Sequence, residues 1–521
     1  MAGETSKVVD LTGKMVLDPV PLADWLVVAP VAIPIVAGAV FLMLRHETKL
    51  HGWLALIALT ATLAANIGLL ARILENGPVV MTMGRWLPPF GISFTADTLG
   101  ASMSLVATLV AAACGIYSII DIGSVGRRYG FYAFMLMMMA GVNGAFLTGD
   151  IFNLYVWFEV FLISSFGLLV LGSEHRQLDG ATKYAILNLV GTMLFLTATA
   201  FVYGIFGTLN MADIARSVDG ARDTAPLMTL SVLYLLAFGM KAAAFPVNFW
   251  LPASYHTPRL VTAALFGGVL TKVGIYALLR VMVMLFPPEL ERLSVLVAWV
   301  AGATMILGTI GALAQTDLRR LLGFIVISGV GVMLAGLALG SAEGLSGTIF
   351  YAFHSMIAMT ALYLLAGMMK GLGGSYSLAK LGGLYVGYPL LAAMALILIL
   401  AAAGLPPASG LWPKVMLVRA SLDAGAPWLA FAILATGFLT TLALGRVFIL
   451  TIWRPSPAGD MPEVEPYPTG KAYLALGVLI LPILVMGLYP DPFIKVAGEA
   501  TAGILDASGY IQSVFPQGGG E

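Results

Sequence analysis

Apolar runs of about twenty residues, separated by short polar or Pro/Gly stretches, leave this chain little choice of fold. In hydrocarbon every unpaired backbone N–H or C=O costs several kcal/mol, so such runs cross as helices that satisfy themselves. About fourteen can be drawn, near 22–44, 52–73, 97–120, 130–149, 150–172, 181–206, 226–250, 259–286, 292–315, 320–340, 345–369, 386–420, 427–452 and 472–490. The seventh and twelfth contain internal prolines, Pro246 and Pro406–Pro407, and are expected to be broken helices. The fold class expected is therefore an all-α polytopic membrane protein with about 14 transmembrane helices, in one transmembrane domain over 1–521. Only 10% of residues are charged, against about 25% in soluble domains.

Composition excludes much else. Lys+Arg and Asp+Glu both number 27, so nothing indicates a nucleic-acid partner. The one cysteine, Cys114, excludes an internal disulfide framework or thiolate metal site. Phosphate-binding loops, zinc-ligand spacings and paired haem-ligand histidines do not stand out, so no cofactor is expected and no metal site is legible. Residues 1–21, with Glu4, Lys7, Asp10, Lys14 and Asp18, read as a short polar tail, too polar for a signal-peptide core. Loops after odd-numbered runs hold 12 Lys/Arg, from Arg45 to Lys471; loops after even-numbered runs hold 7, Arg280 among them. The tails add Lys7, Lys14 and Lys495 to that second side. The bias places the odd loops in the cytoplasm and both termini outside.

Two stretches repeat where helices are interrupted. Ala242-Ala-Ala-Phe-Pro246 leads to Trp250-Leu-Pro252, and Ala401-Ala-Ala-Gly-Leu-Pro406-Pro407 leads to Trp412-Pro413-Lys414. The offset, 401 − 242 = 159, spans about five runs, and an odd number of crossings inverts the second copy. Two inverted five-helix repeats are expected, about 130–286 and 292–452, followed by 472–521 as last helix and C-terminal segment. Broken helices at matching places point to an ion site, although ordinary proline kinks have the same signature.

Five ionisable residues stand inside the apolar runs: Glu159, Lys241, Lys272, His354 and Lys414. A charge at the bilayer centre costs about 2.5–3.5 kcal/mol on insertion scales, so four oppose folding by roughly 10 kcal/mol unless they face a wet interior and one another. Burial and a nearby carboxylate pull a lysine's proton affinity in opposite senses, the tension a proton carrier needs. A static Glu159–Lys241 ion pair is the plainer alternative, and a lone histidine such as His354 is commonly a packing residue. His256, after the seventh run, and Lys183, one turn inside the sixth, are weaker candidates for proton entry; Lys183 also fits a membrane-surface anchor. Asp150 and Asp317 read as helix caps.

The motif Gly149-Asp150-Ile-Phe-Asn153-Leu-Tyr-Val-Trp-Phe-Glu159 resembles the fifth-helix motif of the antiporter-like subunits found in Mrp-type cation/proton antiporters and respiratory complex I. Lys241 with Phe245-Pro246 and Trp250-Leu-Pro252, Leu270-Thr-Lys272-Val-Gly-Ile-Tyr276, Asp317-Leu-Arg-Arg-Leu-Leu322 and Gly404-Leu-Pro-Pro-Ala-Ser-Gly410-Leu-Trp-Pro-Lys414 resemble further motifs of that superfamily. The ending Leu488-Tyr-Pro-Asp491-Pro-Phe and Lys414 are most similar to its Mrp D-type branch. The resemblance implies that Glu159 and Lys241 pair to gate proton movement and that Lys272, His354 and Lys414 continue a hydrated axis. On the internal repeat, Lys241 and Lys414 are taken as counterparts beside the two breaks. The sequence departs from the pattern at Ile357-Ala-Met359, where a relay lysine often follows, leaving Ser355, Thr360 or water to bridge. The implied function is the proton-translocating part of a sodium/proton antiporter in a bacterial inner membrane, with other membrane subunits as partners. A proton-pumping arm of a redox-driven complex and a structural subunit with static ion pairs remain open.

Overall fold

The computed structural model describes Met15, residues 21–457, Tyr467 and 469–515; the proposed N-terminal tail, Met15 and residue 21 apart, lies outside them. Helices α1 (Ala29–Met43), α2 (His51–Asn76), α3 (Thr98–Asp121), α4 (Phe131–Leu147), α5 (Ile151–Val170) and α6 (His175–Phe206) come first. The seventh apolar run forms α7a (Leu227–Ala242) and α7b (Trp250–Ser254). Then follow α8 (Leu260–Leu285), α9 (Pro287–Ala314), α10 (Leu318–Leu339) and α11 (Ala342–Gly373). The twelfth run forms α12a (Pro389–Ala403) and α12b (Leu411–Asp423), before α13 (Pro427–Trp453) and α14 (Thr469–Leu488). Two amphipathic helices, α15 (Asp491–Leu505) and α16 (Ser508–Val514), close the described chain. Among the described residues ten helices are long and apolar enough to cross a membrane, and α1, α4, α7a and α12a are shorter apolar helices. The chain is a multi-pass membrane protein.

Both expected breaks are present, after Ala243 in the left-handed conformation (φ 63°) and after Gly404 (φ 82°). Asp150 and Asp317 cap α5 and α10 as expected, accepting from the N–H of Asn153 and of Arg319 and Arg320. One element departs from the all-helical reading: β1 (Val79–Thr82) pairs antiparallel with β2 (Ser93–Ala96) between α2 and α3. These residues lie outside any apolar run, and the hairpin satisfies backbone groups at the bundle end. A further backbone bond, from Gly149 N to Ser93 O, ties it to the α4–α5 turn.

The element order of α5–α7 recurs in α10–α12. Ile151 N donates to Leu209 O and Met211 N to Gly149 O; Leu318 N donates to Tyr376 O and Leu378 N to Thr316 O. All four positions are displaced by 167, since 318 − 151 = 376 − 209 = 378 − 211 = 316 − 149. At the breaks the offset is 404 − 243 = 161. The second repeat is six residues shorter between Leu378 and its break than the first between Met211 and its own, which accounts for the difference. The 159 read from sequence is out of register by two, because Ala242–Ala244 straddle the first break whereas Ala401–Ala403 all precede the second. The centre of the bundle is α8, buried along its whole length, and α11, buried from Gly344 to Met369, with α10 nearly so.

Candidate functional site

Four of the five in-membrane ionisable residues are buried: Lys272 is 0% exposed, His354 1%, Lys241 4% and Lys414 8%. Each cationic side chain is held by neutral oxygens. Lys241 Nζ donates to Thr192 Oγ1 on α6 at 2.6 Å and lies 5.6 Å from the centre of the Phe158 ring on α5. Lys272 Nζ donates to Gly267 O at 2.8 Å, within a π-helical stretch of α8, Phe266–Leu270. Such single-turn widenings shift carbonyls out of the regular ladder, which frees Gly267 O for the ammonium. His354 Nδ1 is hydrogen-bonded to Ser409 Oγ in the twelfth-helix break, 2.7 Å away. Lys414 Nζ donates to Ala402 O at 3.2 Å and Ala403 O at 2.7 Å, carbonyls that the break leaves without helical partners.

Two glycines make this packing possible. A Cβ on Gly404 would lie 2.6 Å from Lys414 Cδ and 2.8 Å from its Nζ, besides the strain of φ 82°. A Cβ on Gly274 would stand 2.8 Å from Ala242 N, so α8 can press against the end of α7a beside Lys241.

The structure corrects three sequence readings. Glu159 and Lys241 do not form an ion pair: one Glu159 oxygen, Oε1, is buried without a hydrogen-bond partner among the described residues. Glu159 is only partly buried, on the face of α5 that exposes Phe152, Val156 and Ile163. Lys241 and Lys414 are not counterparts either. Lys241 precedes its break and matches Ala402 (241 + 161), whereas Lys414 follows its break and matches Ala253 (414 − 161). Lys414 nevertheless reaches back to the carbonyl of Ala402, the position equivalent to Lys241. Finally, Arg280, counted above as a loop charge, is wholly buried within α8 and paired with Asp97.

His256 and Lys183 lie away from this row, together in a cavity of about 420 Å³ also lined by Arg176, Asp179, Asp317 and Arg320. Lys183 is exposed and paired with Asp179 at 2.6 Å, as an anchor would be. His256 Nδ1 is 2.9 Å from Pro252 O and Nε2 is 3.2 Å from an Arg320 nitrogen; burial, then Arg320, holds its pKa below the usual 6.5. A neighbouring polar cavity of about 790 Å³ shares Thr257 and Arg319 with it. From there Tyr363 runs inward: its hydroxyl donates to Arg319 O at 3.3 Å, and its ring would lie 2.6 Å from a Cβ on Gly267. One side chain thus spans from the vestibule to the residue whose carbonyl holds Lys272. Around α8 the hydroxyls of Tyr255, Thr262 and Thr271 are buried without partners among the described residues. Thr360 is tied to Ala264 O and Met356 O beside this segment.

Thr192, Ser409 and Tyr363 were not singled out in the sequence. Buried hydroxyls occur in most of the helices, and only their contacts with Lys241, His354 and Gly267 distinguish these.

Comparison with known proteins bears on what this arrangement does. Residues 148–440 match the family described as NADH:quinone oxidoreductase/Mrp antiporter, transmembrane. The D-type subunit of the Na(+)/H(+) antiporter of Alkalihalophilus pseudofirmus is 37% identical over 495 residues, 94% of this chain and 99% of that one. A chain of the Mrp complex from Dietzia superposes with TM-score 0.87 at 28% identity, over 95% of this chain and 100% of that one. A chain of respiratory complex I from Thermus thermophilus does so with TM-score 0.79 at 25% identity, over 92% and 100%.

Proposed function

We propose, because the chain belongs to the NADH:quinone oxidoreductase/Mrp antiporter transmembrane family, that it is the proton-carrying subunit of a multi-subunit sodium/proton antiporter, a transporter subunit and not an enzyme. One observation carries the reading: Lys241, Lys272 and Lys414 are buried, yet each ammonium is held by hydroxyl or carbonyl oxygens and, among the described residues, none by a carboxylate. A static lock would pair each with an acid, because a buried ion left unpaired is costly. A neutral oxygen instead serves the ammonium as an acceptor, and loss of the proton strands no buried anion. Protons enter through the vestibule beside His256, reach Lys272 along the under-satisfied hydroxyls of α8, and pass by way of His354 to Lys414. Glu159 and Lys241 gate this row electrostatically.

The domain is a pair of inverted repeats, about 130–286 and 292–452, in a bacterial inner membrane, with the vestibule cytoplasmic and the hairpin end outside. The partners are other membrane subunits. The partly exposed Glu159 on an apolar face of α5 supports a neighbour there, since a mid-membrane carboxylate is not left against lipid. The redox-driven alternative shares the fold, so the fold does not separate the two. The antiporter relative from Alkalihalophilus, at 37% identity, favours the antiporter. Lys241→Ala and Lys272→Ala should each abolish sodium-driven proton exchange by the assembled complex in inverted vesicles. Undiminished exchange in both would overturn the mechanism, and co-purification with flavin or iron–sulfur subunits would favour the redox reading.

A further inference from the structure

Lys272, Tyr276 and Arg280 follow one another at four-residue spacing, on one face of α8 leading from the centre of the bundle to the hairpin end. Arg280 is 0% exposed and sits in the second π-helical stretch of α8, Leu279–Leu285. It grips Asp97 with two parallel bonds, Nη1 to Oδ2 at 2.8 Å and Nη2 to Oδ1 at 2.7 Å. Asp97 also caps α3 through Gly100 N. The Tyr276 hydroxyl donates its hydrogen to Phe146 O at 2.8 Å and accepts from Arg280 Nη2 at 3.2 Å and Nε at 3.4 Å. Tyr510, from the C-terminal helix α16, closes over the guanidinium at 5.2 Å.

Every hydrogen-bonding position on the Tyr276 hydroxyl, next after Lys272 on this face, is occupied. The one hydroxyl hydrogen of Tyr276 is committed to a backbone carbonyl, and both its lone pairs face guanidinium donors. Arginine offers donors only and accepts no proton. The other side of Lys272 differs: among the described residues three hydroxyls, of Thr271, Thr262 and Tyr255, have no partner there, whereas in the plug only that of Tyr510, beside the guanidinium, has none.

We propose that Tyr276, Arg280 and Asp97, covered by the Tyr510 ring, form a proton stop: a charged plug, entered through a Tyr276 hydroxyl with no free position, that prevents a proton on Lys272 from leaving directly through the hairpin end. The proposal rests on the reading of Lys272 as a proton carrier. Without such a stop, Lys272 would be open to both sides and the gradient would collapse through the first repeat. Fixed arginines exclude protons from other membrane pores by the same means.

The test is sodium-independent proton flux in proteoliposomes holding the whole complex, driven by an imposed pH gradient and read by an internal pH dye. Asp97→Asn with Arg280→Gln removes the charges together, leaves no buried ion unpaired and keeps a capping side chain. A flux increase of about tenfold or more is expected, the scale of one lost charged contact. Adding Lys272→Ala should abolish that leak. Arg280→Lys, which keeps a donor-only cation without the two parallel bonds, should stay tight. A double variant that assembles and does not leak overturns the proposal, as does a leak that survives Lys272→Ala. A leak in Arg280→Lys equal to the double variant's shows that packing alone seals this end, and also overturns it. Should the double variant not assemble, Tyr276→Phe carries the test, because it frees Phe146 O and guanidinium N–H groups for water; flux equal to wild type refutes the stop. Sodium-driven exchange that persists in Lys272→Ala alone instead refutes the proton-carrier reading beneath it.

Discussion

Replacing Thr192 with valine tests the row of buried cations at the place where its geometry is plainest. Lys241 Nζ donates to Thr192 Oγ1 at 2.6 Å, and Thr192 is buried, so water does not readily replace the hydroxyl. Valine preserves the shape and removes the oxygen. A hydrogen bond to a charged group contributes about 1.5–3 kcal/mol. The protonated, Thr192-bound state of Lys241 should therefore lose roughly 10- to 150-fold in population relative to its alternatives. If that state lies on the transport cycle, Thr192→Val slows sodium-driven proton exchange by a similar factor. Thr192→Ser, which restores the hydroxyl, should recover most of it. The assay is the initial rate of vesicle alkalinisation after a sodium pulse, normalised to assembled complex. Thr192→Val at the wild-type rate, with complex at the wild-type level, would refute the reasoning. It would mean that Lys241 does not cycle through the state seen here.

Ser409→Ala removes the partner of His354 and leaves a buried imidazole nitrogen unsatisfied, at a cost of about 1–3 kcal/mol; exchange should fall while Ser409→Thr retains it, measured by the same vesicle assay. Gly404→Ala adds about 1–2 kcal/mol of left-handed backbone strain and drives a methyl group into Lys414. It should lower thermal stability and abolish exchange, whereas substitution at Gly445, which has open space around it, should do neither. His256 binds a proton less readily in the folded chain than at its usual 6.5, so its contribution to stability is lost as pH falls through about that value. His256→Gln should flatten the decline of thermal stability between about pH 7 and 5, and an unchanged decline would remove His256 from the account.

The ionisable residues were legible in the sequence because they are costly: an apolar run containing Lys272 or Glu159 announces an exception to its own composition. Both helix breaks were legible from Pro246 and Pro406, and both aspartate caps from their position before an apolar run. The partners of those residues were not. Thr192 lies 49 residues from Lys241 and Ser409 lies 55 from His354, and one hydroxyl among many carries no local sign of the side chain it meets. Arg280 lies inside the eighth apolar run, 259–286, but six residues from its end it reads as a loop charge, because its partner Asp97 is 183 residues away and only the fold shows the pair. The hairpin escaped because strands of four residues leave no periodic trace to set against fourteen apolar runs.

The repeat and the charges obey different rules, and the difference bears on mechanism. The backbone is duplicated closely enough for four hydrogen bonds at the α5 and α10 entrances to recur at one offset. The charges are not duplicated: at the matching offsets Glu159 meets Val326, His354 meets Leu187, Lys241 meets Ala402 and Lys414 meets Ala253. Two copies of one proton site would place like residues at like positions. Here each repeat supplies what the other lacks, with Glu159, Lys241 and Lys272 from the first and His354 and Lys414 from the second. Such a set works only as one row crossing the repeat boundary. In the proposed path the crossing falls at α8 against α11, the two spans whose most apolar eighteen-residue stretch is wholly buried. A proton that reaches Lys272 thus has its next titratable neighbours in the second repeat and, if Arg280 acts as a stop, no exit in the first. Under the proposed mechanism the fold supplies two symmetrical half-paths, and the asymmetric placement of five side chains converts them into one.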